Sequence, residues 1–287
     1  MKTLVFANQK GGVGKSAIAT QLAFYMHCIL KLRVIVIDAD HQGNTTRPLT
    51  QSGKLTVSAT NAATLFRSRI SQIEDAPFVL IPSSVNLMDL ERDSQNHNNY
   101  VQNLHTFISS IQDKFDVCLI DTNPNPDIRL ISSFVVGTHV LSPIELNQEA
   151  IDGINLLLKH PRVGIEKMQK TLNKELVFLG ILPNKVEATP FHKFNFTQLA
   201  ESGYGQFLIR PDPTKTEFAY IALRSVVAEA QADGCPMWEV KQKGKDGLPA
   251  RDSAGNLTGA IKTAGRDTWR EIKPYFQLIV TKMGIGK

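Results

Sequence analysis

The sequence predicts an α/β protein with a mostly parallel, twisted sheet and helices on both faces. Short β-branched apolar runs recur along the chain, and amphipathic stretches of helical period separate them. A glycine-rich turn joins the first run to the first of those stretches.

Strands are expected at 3–8, 33–38, 78–82, 116–121, 139–143 and 176–183, each a short apolar run bounded by polar or turn residues. Helices are expected at 15–30, 95–114, 148–159, 191–201, 217–232 and 263–282, where apolar residues recur at three and four. In the fourth of these, His192 and Lys193 with Phe194 and Phe196 read as a half-buried amphipathic face. No internal repeat is visible. The segment around 241–263 is rich in Gly, Lys, Asp and Ala and reads as an exposed loop or hairpin. One helix follows it, so a single domain over 1–287 is expected, with this loop inserted near 241–262.

At 287 residues the chain is long enough to bury a core without disulfides or structural metal. Its apolar runs are far too short to span a bilayer, and Met1 leads directly into a strand with no signal sequence. The three cysteines, Cys28, Cys118 and Cys235, form no C-x-x-C pair and suit a reducing cytoplasm. Charge is uneven. Residues 1–158 carry 12 Lys+Arg against 14 Asp+Glu, and residues 159–287 carry 20 against 13. A basic C-terminal half attracts polyanions without sequence preference.

Gln9-Lys10-Gly11-Gly12-Val13-Gly14-Lys15-Ser16 follows a strand and opens a helix. In that context Gly11, Gly12 and Gly14 let backbone N–H groups converge on phosphate, and the helix adds its positive end. Lys15 is expected on the β- and γ-phosphates and the Ser16 hydroxyl on Mg²⁺. Gly11, Gly12, Val13, Gly14, Lys15, Ser16 and Ala17 form the expected nucleotide contact. Gln9 stands where the common phosphate-loop pattern has its first glycine.

The run from Lys10 to Ser16 resembles the deviant Walker A loop of the ParA/MinD superfamily, a class of P-loop NTPases. By that resemblance the chain is an ATPase using ATP and Mg²⁺, and it forms an ATP-dependent homodimer. Lys10 would reach across that dimer to the partner's phosphates, neutralising charge as an arginine finger does.

Asp38-Ala39-Asp40-His41-Gln42-Gly43-Asn44 ends a strand, where parallel sheets bind ligands. It is similar to the family's first switch. The resemblance gives Asp40 the task of orienting the attacking water and leaves Asp38 to support Mg²⁺ and the loop. His41 stands in place of the family's proline. Asp121 closes an apolar strand and is placed to hold Mg²⁺ through water, as the Walker B carboxylate does. The second switch, Asp121-Thr122-Asn123-Pro124-Asn125-Pro126, departs from the family's D-T-P-P. Asn184 follows another strand, and the resemblance assigns it to the adenine. Asn184-Lys185-Val186-Glu187 also resembles a guanine reader, with Glu187 as the acceptor; the wider likeness favours ATP.

The stretch from Leu223 to Pro236 looks like a late motif of partition ATPases, in which basic residues bind duplex DNA without sequence preference. Arg224 is the leading candidate for such binding, followed by Lys215, Lys241, Lys243 and Lys245. No helix-turn-helix segment precedes residue 1, so operator binding is not expected. The resemblance therefore implies a ParA-like ATPase that segregates plasmid or chromosomal DNA with a ParB-like centromere-binding partner, in the cytoplasm on the nucleoid. A MinD-like regulator needs a basic amphipathic tail, and 274–287 is mixed and short, so no membrane partner is expected. An iron–sulfur reductase needs paired cysteines at a dimer axis, which Cys28 and Cys118 do not supply. A positioning ATPase for a protein cargo stays open as the alternative.

Overall fold

A computed structural model describes every residue except 213, 215, 216, 245, 246, 256 and 287, and only the backbone at 148 and 150–152. Lys215 and Lys245 therefore lie outside the described residues. The first half runs β1 (Lys2–Phe6), α1 (Lys15–Phe24), β2 (Val34–Asp38), α2 (Thr46–Gln51), β3 (Thr56–Val57), α3 (Ala62–Arg67), β4 (Phe78–Ile81) and α4 (His97–Ser110). The rest runs β5 (Val117–Asp121), α5 (Ile128–Val136), β6 (His139–Ile144), α6 (Gln148–Lys159), α7 (Ile165–Thr171), β7 (Val177–Pro183), α8 (Pro190–Glu201), α9 (Ser225–Asp233) and α10 (Thr263–Lys282).

The strands form one sheet in the order β3-β4-β2-β5-β1-β6-β7, parallel throughout. Its central strands serve two cores by alternation. Val5, Ile35, Ile37, Cys118 and Ile120 face one layer of helices. Leu4, Phe6, Val34, Val36, Val117 and Leu119 face the other, with α1, α9 and α10. Both faces are covered, which is why these strands read as continuous apolar runs.

All six expected strands are present to within two residues at either end; the two-residue edge strand β3 is too short to show as a run. One helix requires correction. The expected helix over 217–232 begins only at Ser225. Upstream, buried Ala219 and Ile221 flank exposed Tyr220, a period of two rather than 3.6. Their amides pair with Ile209 O and Pro183 O, each at 2.8 Å, so the segment continues the sheet edge beyond β7. On α8, Phe191 and Phe194 are exposed while Asn195 and Leu199 are buried, so its aromatics lie mostly on the solvent side.

The 241–262 segment folds back on itself through antiparallel bridges Lys241–Ile261, Lys243–Pro249 and Arg251–Leu257. Cys118 and Cys235 are buried and Cys28 half-buried, and burial raises all three thiols, so none is a ready nucleophile. Among the described residues no helix is long and apolar enough to cross a membrane.

Candidate active site

The carboxyl ends of β1, β2 and β5 meet at one cleft of about 510 Å³. Its floor is the loop after β1. Asn8 staples that loop to β6 through its amide, which donates to Pro143 O at 2.9 Å, while its Oδ1 accepts from Lys10 N at 2.7 Å. Gly12 and Gly14 take φ of +81° and +89°. A Cβ at Gly14 would also collide with the Asn184 amide, so glycine is required there twice over. α1 then begins with no side-chain cap and no acidic residue in its first turn. Its leading amides and positive end are left for an anion.

Gly11, Gly12, Val13, Gly14, Lys15, Ser16 and Ala17 all line the cleft. Lys15 is buried, and among the described residues its ammonium donates to the carbonyls of Asn8 and Lys10, at 3.2 and 3.3 Å. Burial lowers its pKa, and the nearby Asp121 and Asp40 carboxylates oppose that shift. A phosphate beside Lys15 would supply the anion that this buried cation lacks.

Asp121 is fully buried. Its Oδ2 accepts from Thr45 Oγ1 at 2.8 Å, and its Oδ1 has no hydrogen-bond partner among the described residues. Burial pushes its pKa to about 6, although the Ser16 and Thr45 hydroxyls and the Lys15 ammonium pull the other way. A buried carboxylate oxygen with no hydrogen-bond partner among the described residues fits a hydrated divalent cation. Among the described residues no group of three or more His, Cys, Asp and Glu side chains gathers as a metal cluster. A cation here would rest on Asp121, the Ser16 hydroxyl and the oxygens of a bound phosphate.

Asp38 is placed differently from Asp121. One of its oxygens accepts from Thr46 N and Thr46 Oγ1, each at 2.7 Å, and the other accepts from Asp40 N at 3.2 Å. It thus braces the loop from Asp40 to Thr46 and does not line the cleft. Asp40 does line it. Its Oδ1 accepts from Gln42 N at 3.1 Å, and its backbone carbonyl accepts from Ser83 Oγ.

Asn184 sits against the phosphate loop, its amide donating to Val13 O at 2.8 Å. Lys185, whose φ is +56°, lays its ammonium on Gly12 O at 2.6 Å and on Glu145 at 2.7 Å. Lys10 extends away from the floor, pairing with Glu149 at 2.7 Å and Asn147 Oδ1 at 3.1 Å. Sequence reasoning missed the contributions of Thr45, Thr46 and Lys185. It also missed Arg47 and Gln231, which line the cleft, and the buried pair of Asp127 and Arg129 behind it. Their roles arise from tertiary approach, and only Thr45-Thr46, directly after the Asp-x-Asp segment, carried a local signal.

The basic candidates lie elsewhere. Arg224 precedes α9 and pairs with Glu271 at 3.0 Å, both side chains about half exposed. It borders a separate groove of about 800 Å³ lined by Glu187, His192, Phe196, Tyr220 and Leu223. Lys243 reaches the buried Asp233 at 3.3 Å, and Lys241 belongs to the hairpin.

Comparison with known proteins agrees with this geometry. A family model described as an AAA domain matches residues 1–178. Protein IncC of Escherichia coli is 32% identical over the whole chain and 71% of its own length. The chromosome-partitioning ATPase Soj of Treponema pallidum is 29% identical over 63% of the chain and 70% of its own length. Among solved structures, the ATP complex of Cyanothece McdA(D38A) superposes with a TM-score of 0.72 at 17% identity, covering 100% of this chain and 98% of that one. A putative plasmid partition protein of Borrelia burgdorferi B31 bound to AMPPNP gives 0.64 at 20%, covering 96% and 98%. With the two-lysine loop, the parallel P-loop sheet and these relatives together, the chain belongs to the AAA-domain family of ParA-type partition ATPases.

Proposed function

We propose that the chain hydrolyses ATP with Mg²⁺ to drive the segregation of plasmid or chromosomal DNA. The observation that carries this reading is that Lys15, Ser16 and Asp40 line one cleft beneath an uncapped helix start, with the charge of the buried Asp121 acting on Lys15 from below. Lys15 and the loop amides hold the β- and γ-phosphates. Ser16 and Asp121 hold Mg²⁺, with Asp38 fixing the loop behind them. The ion, when bound, neutralises charge on the transferring phosphoryl group. Asp40 orients the water for in-line attack, and the buried setting strengthens each of these interactions. Asn184 stands beside the base, its amide turning from Val13 O to read it.

Lys10 acts in trans in an ATP-dependent homodimer, which requires its pair with Glu149 to open. That dimer presents Arg224, Lys241 and Lys243 to duplex DNA without sequence preference. A ParB-like partner stimulates hydrolysis and releases the protein from the nucleoid. The relatives named for partition and the basic C-terminal half support this reading. Co-sedimentation with arbitrary duplex DNA, with and without ATP and Mg²⁺, tests it. Binding that needs both ligands is expected, and binding indifferent to ATP would overturn the DNA cycle.

A further inference from the structure

His41 lies between Asp40 and the segment that follows β5. Its Nδ1 is 3.4 Å from Asp40 Oδ1 and also 3.4 Å from Arg129 Nη1. Its Nε2 meets Gln42 Nε2 at 2.8 Å. Arg129 is itself fixed: it is buried, and its guanidinium grips Asp127, with Nε donating to the two carboxylate oxygens at 3.2 and 3.0 Å. Asp127 also caps α5 through Arg129 N and accepts from the Asn123 amide at 3.0 Å. Thus Arg129 moves with 123–127, the divergent stretch directly after Asp121.

The donor and acceptor inventory makes this arrangement exclusive. A carboxylate only accepts, a guanidinium only donates, and a neutral imidazole has one N–H and one bare nitrogen. Nδ1 can therefore donate to Asp40 or accept from Arg129, but not both. Gln42 donates to Nε2, which makes Nε2 the acceptor and leaves the proton on Nδ1, facing Asp40. In that form an Arg129 N–H points at a nitrogen that cannot accept it. The other tautomer satisfies Arg129, presents Nε2–H to the Gln42 amide oxygen once that amide turns over, and leaves Asp40 Oδ1 with only the Gln42 backbone N–H.

We propose that His41 is a positioning residue that couples the segment after β5 to Asp40 by exchanging its Nδ1 partner. The inference rests on the reading of Asp40 as the residue that orients water. With Nδ1–H on Asp40, one acceptor site of that carboxylate is occupied and the site rests. When 123–129 brings Arg129 closer, the proton leaves Nδ1, returns at Nε2 through solvent, and frees Asp40 to take a water. A proline at this position could do neither. The side chain therefore gives this chain a link between Asp40 and the segment after β5.

Histidine ¹⁵N NMR on the full chain in alkaline buffer, where free imidazole is neutral, reads the tautomer directly. The His41 signal is assigned by its loss in His41→Gln. The parent without nucleotide is expected in the Nδ1–H form, and Asp40→Ala is expected to convert it to Nε2–H, because Arg129 is then the remaining partner. Kinetics give an independent check. His41→Gln carries its amide to the Nε2 position and loses both Nδ1 contacts, so basal ATP turnover should rise about fivefold with KM unchanged. His41→Asn, which places an N–H at the Nδ1 position, should restore the parent rate. An Nε2–H parent, a tautomer unmoved by Asp40→Ala, or Gln and Asn variants with equal turnover would each overturn the coupling. Parent-like hydrolysis by Asp40→Ala would instead remove the role of Asp40, leaving the tautomer result to stand by itself.

Discussion

Asp38 and Asp121 are register partners on adjacent parallel strands, both wholly removed from water. Burial and the Asp121 charge push Asp38 up to about 7, and burial pushes Asp121 to about 6. Both values exceed the ordinary carboxylate value of 3.8, so the folded chain holds more protons than the unfolded one between about pH 4 and pH 7. Stability from this pair is therefore present at acid pH and lost as pH rises through that window.

The consequence for Asp121→Asn runs against the usual effect of a site mutation. A carboxyl held at about 6 against an ordinary 3.8 makes its buried charge cost about 3 kcal/mol, and the asparagine carries no charge. In EDTA at pH 8 the variant should therefore melt several degrees above the parent. The gap should close toward pH 5. Stabilisation by Mg²⁺ with ATP should vanish in the same variant. Thermal melts across pH, with and without Mg²⁺, check it; a variant less stable than the parent at pH 8 would contradict the assignment of strain to this pair.

Lys15→Ala should abolish ATP binding, because it removes the buried ammonium that would meet the β- and γ-phosphates. Gly14→Ala should fail as well, for a separate reason: φ near +89° strains any Cβ, and the Asn184 amide already fills that space. Isothermal titration distinguishes the two sites from the fold, since α1 and the sheet should remain intact by circular dichroism. Titration with GTP tests the base: tighter binding than ATP would transfer base recognition to Glu187.

These outcomes show how unevenly the sequence reported the molecule. The strands were legible because burial on both faces leaves an uninterrupted apolar run, and the phosphate loop because its glycines follow a strand. Short elements such as α2, six residues, and α7, seven, complete too few turns to show a period. The 217–224 segment misled because its composition suits a helix, while backbone hydrogen bonds from Ala219, Ile221 and Leu223 to Ile209, Pro183 and Val186 hold it extended. At the site, Asp38 and Asp121 look alike in sequence, each an aspartate closing an apolar strand. Only the approach of Thr46 to one and the unpartnered oxygen of the other separate a brace from a candidate ligand. Lys185 meets Gly12 and Glu145, and Arg129 meets His41, only through tertiary approach.

Lys10 is held by Glu149, whose carboxylate is largely solvated, so salt screens the pair and it opens easily. Lys10→Ala should bind ATP normally yet lose partner-stimulated hydrolysis, and it should poison mixed dimers. Glu149→Gln should leave melting unchanged and favour the ATP dimer. Activity of parent–mutant mixtures falling only in proportion to the Lys10→Ala fraction would place that lysine's action in its own subunit.

The DNA face makes the most exposed prediction, because the leading candidate is already engaged. Arg224 pairs with Glu271 across the start of α9, and both side chains are solvated, so the pair is weak and a phosphate can displace the carboxylate. Arg224→Ala should lower the log–log salt slope of DNA binding by about 1 per subunit and leave ATP turnover without DNA unchanged. Glu271→Gln should tighten binding, since Arg224 is then released without an intramolecular competitor. Lys243 behaves otherwise: its partner Asp233 is buried, so Lys243→Ala should cost thermal stability before it costs DNA affinity. Filter binding across a salt series checks all three. If Arg224→Ala keeps the parent slope while Lys241→Ala loses one, the face lies on the hairpin; if no variant changes it, the basic C-terminal half serves another anion.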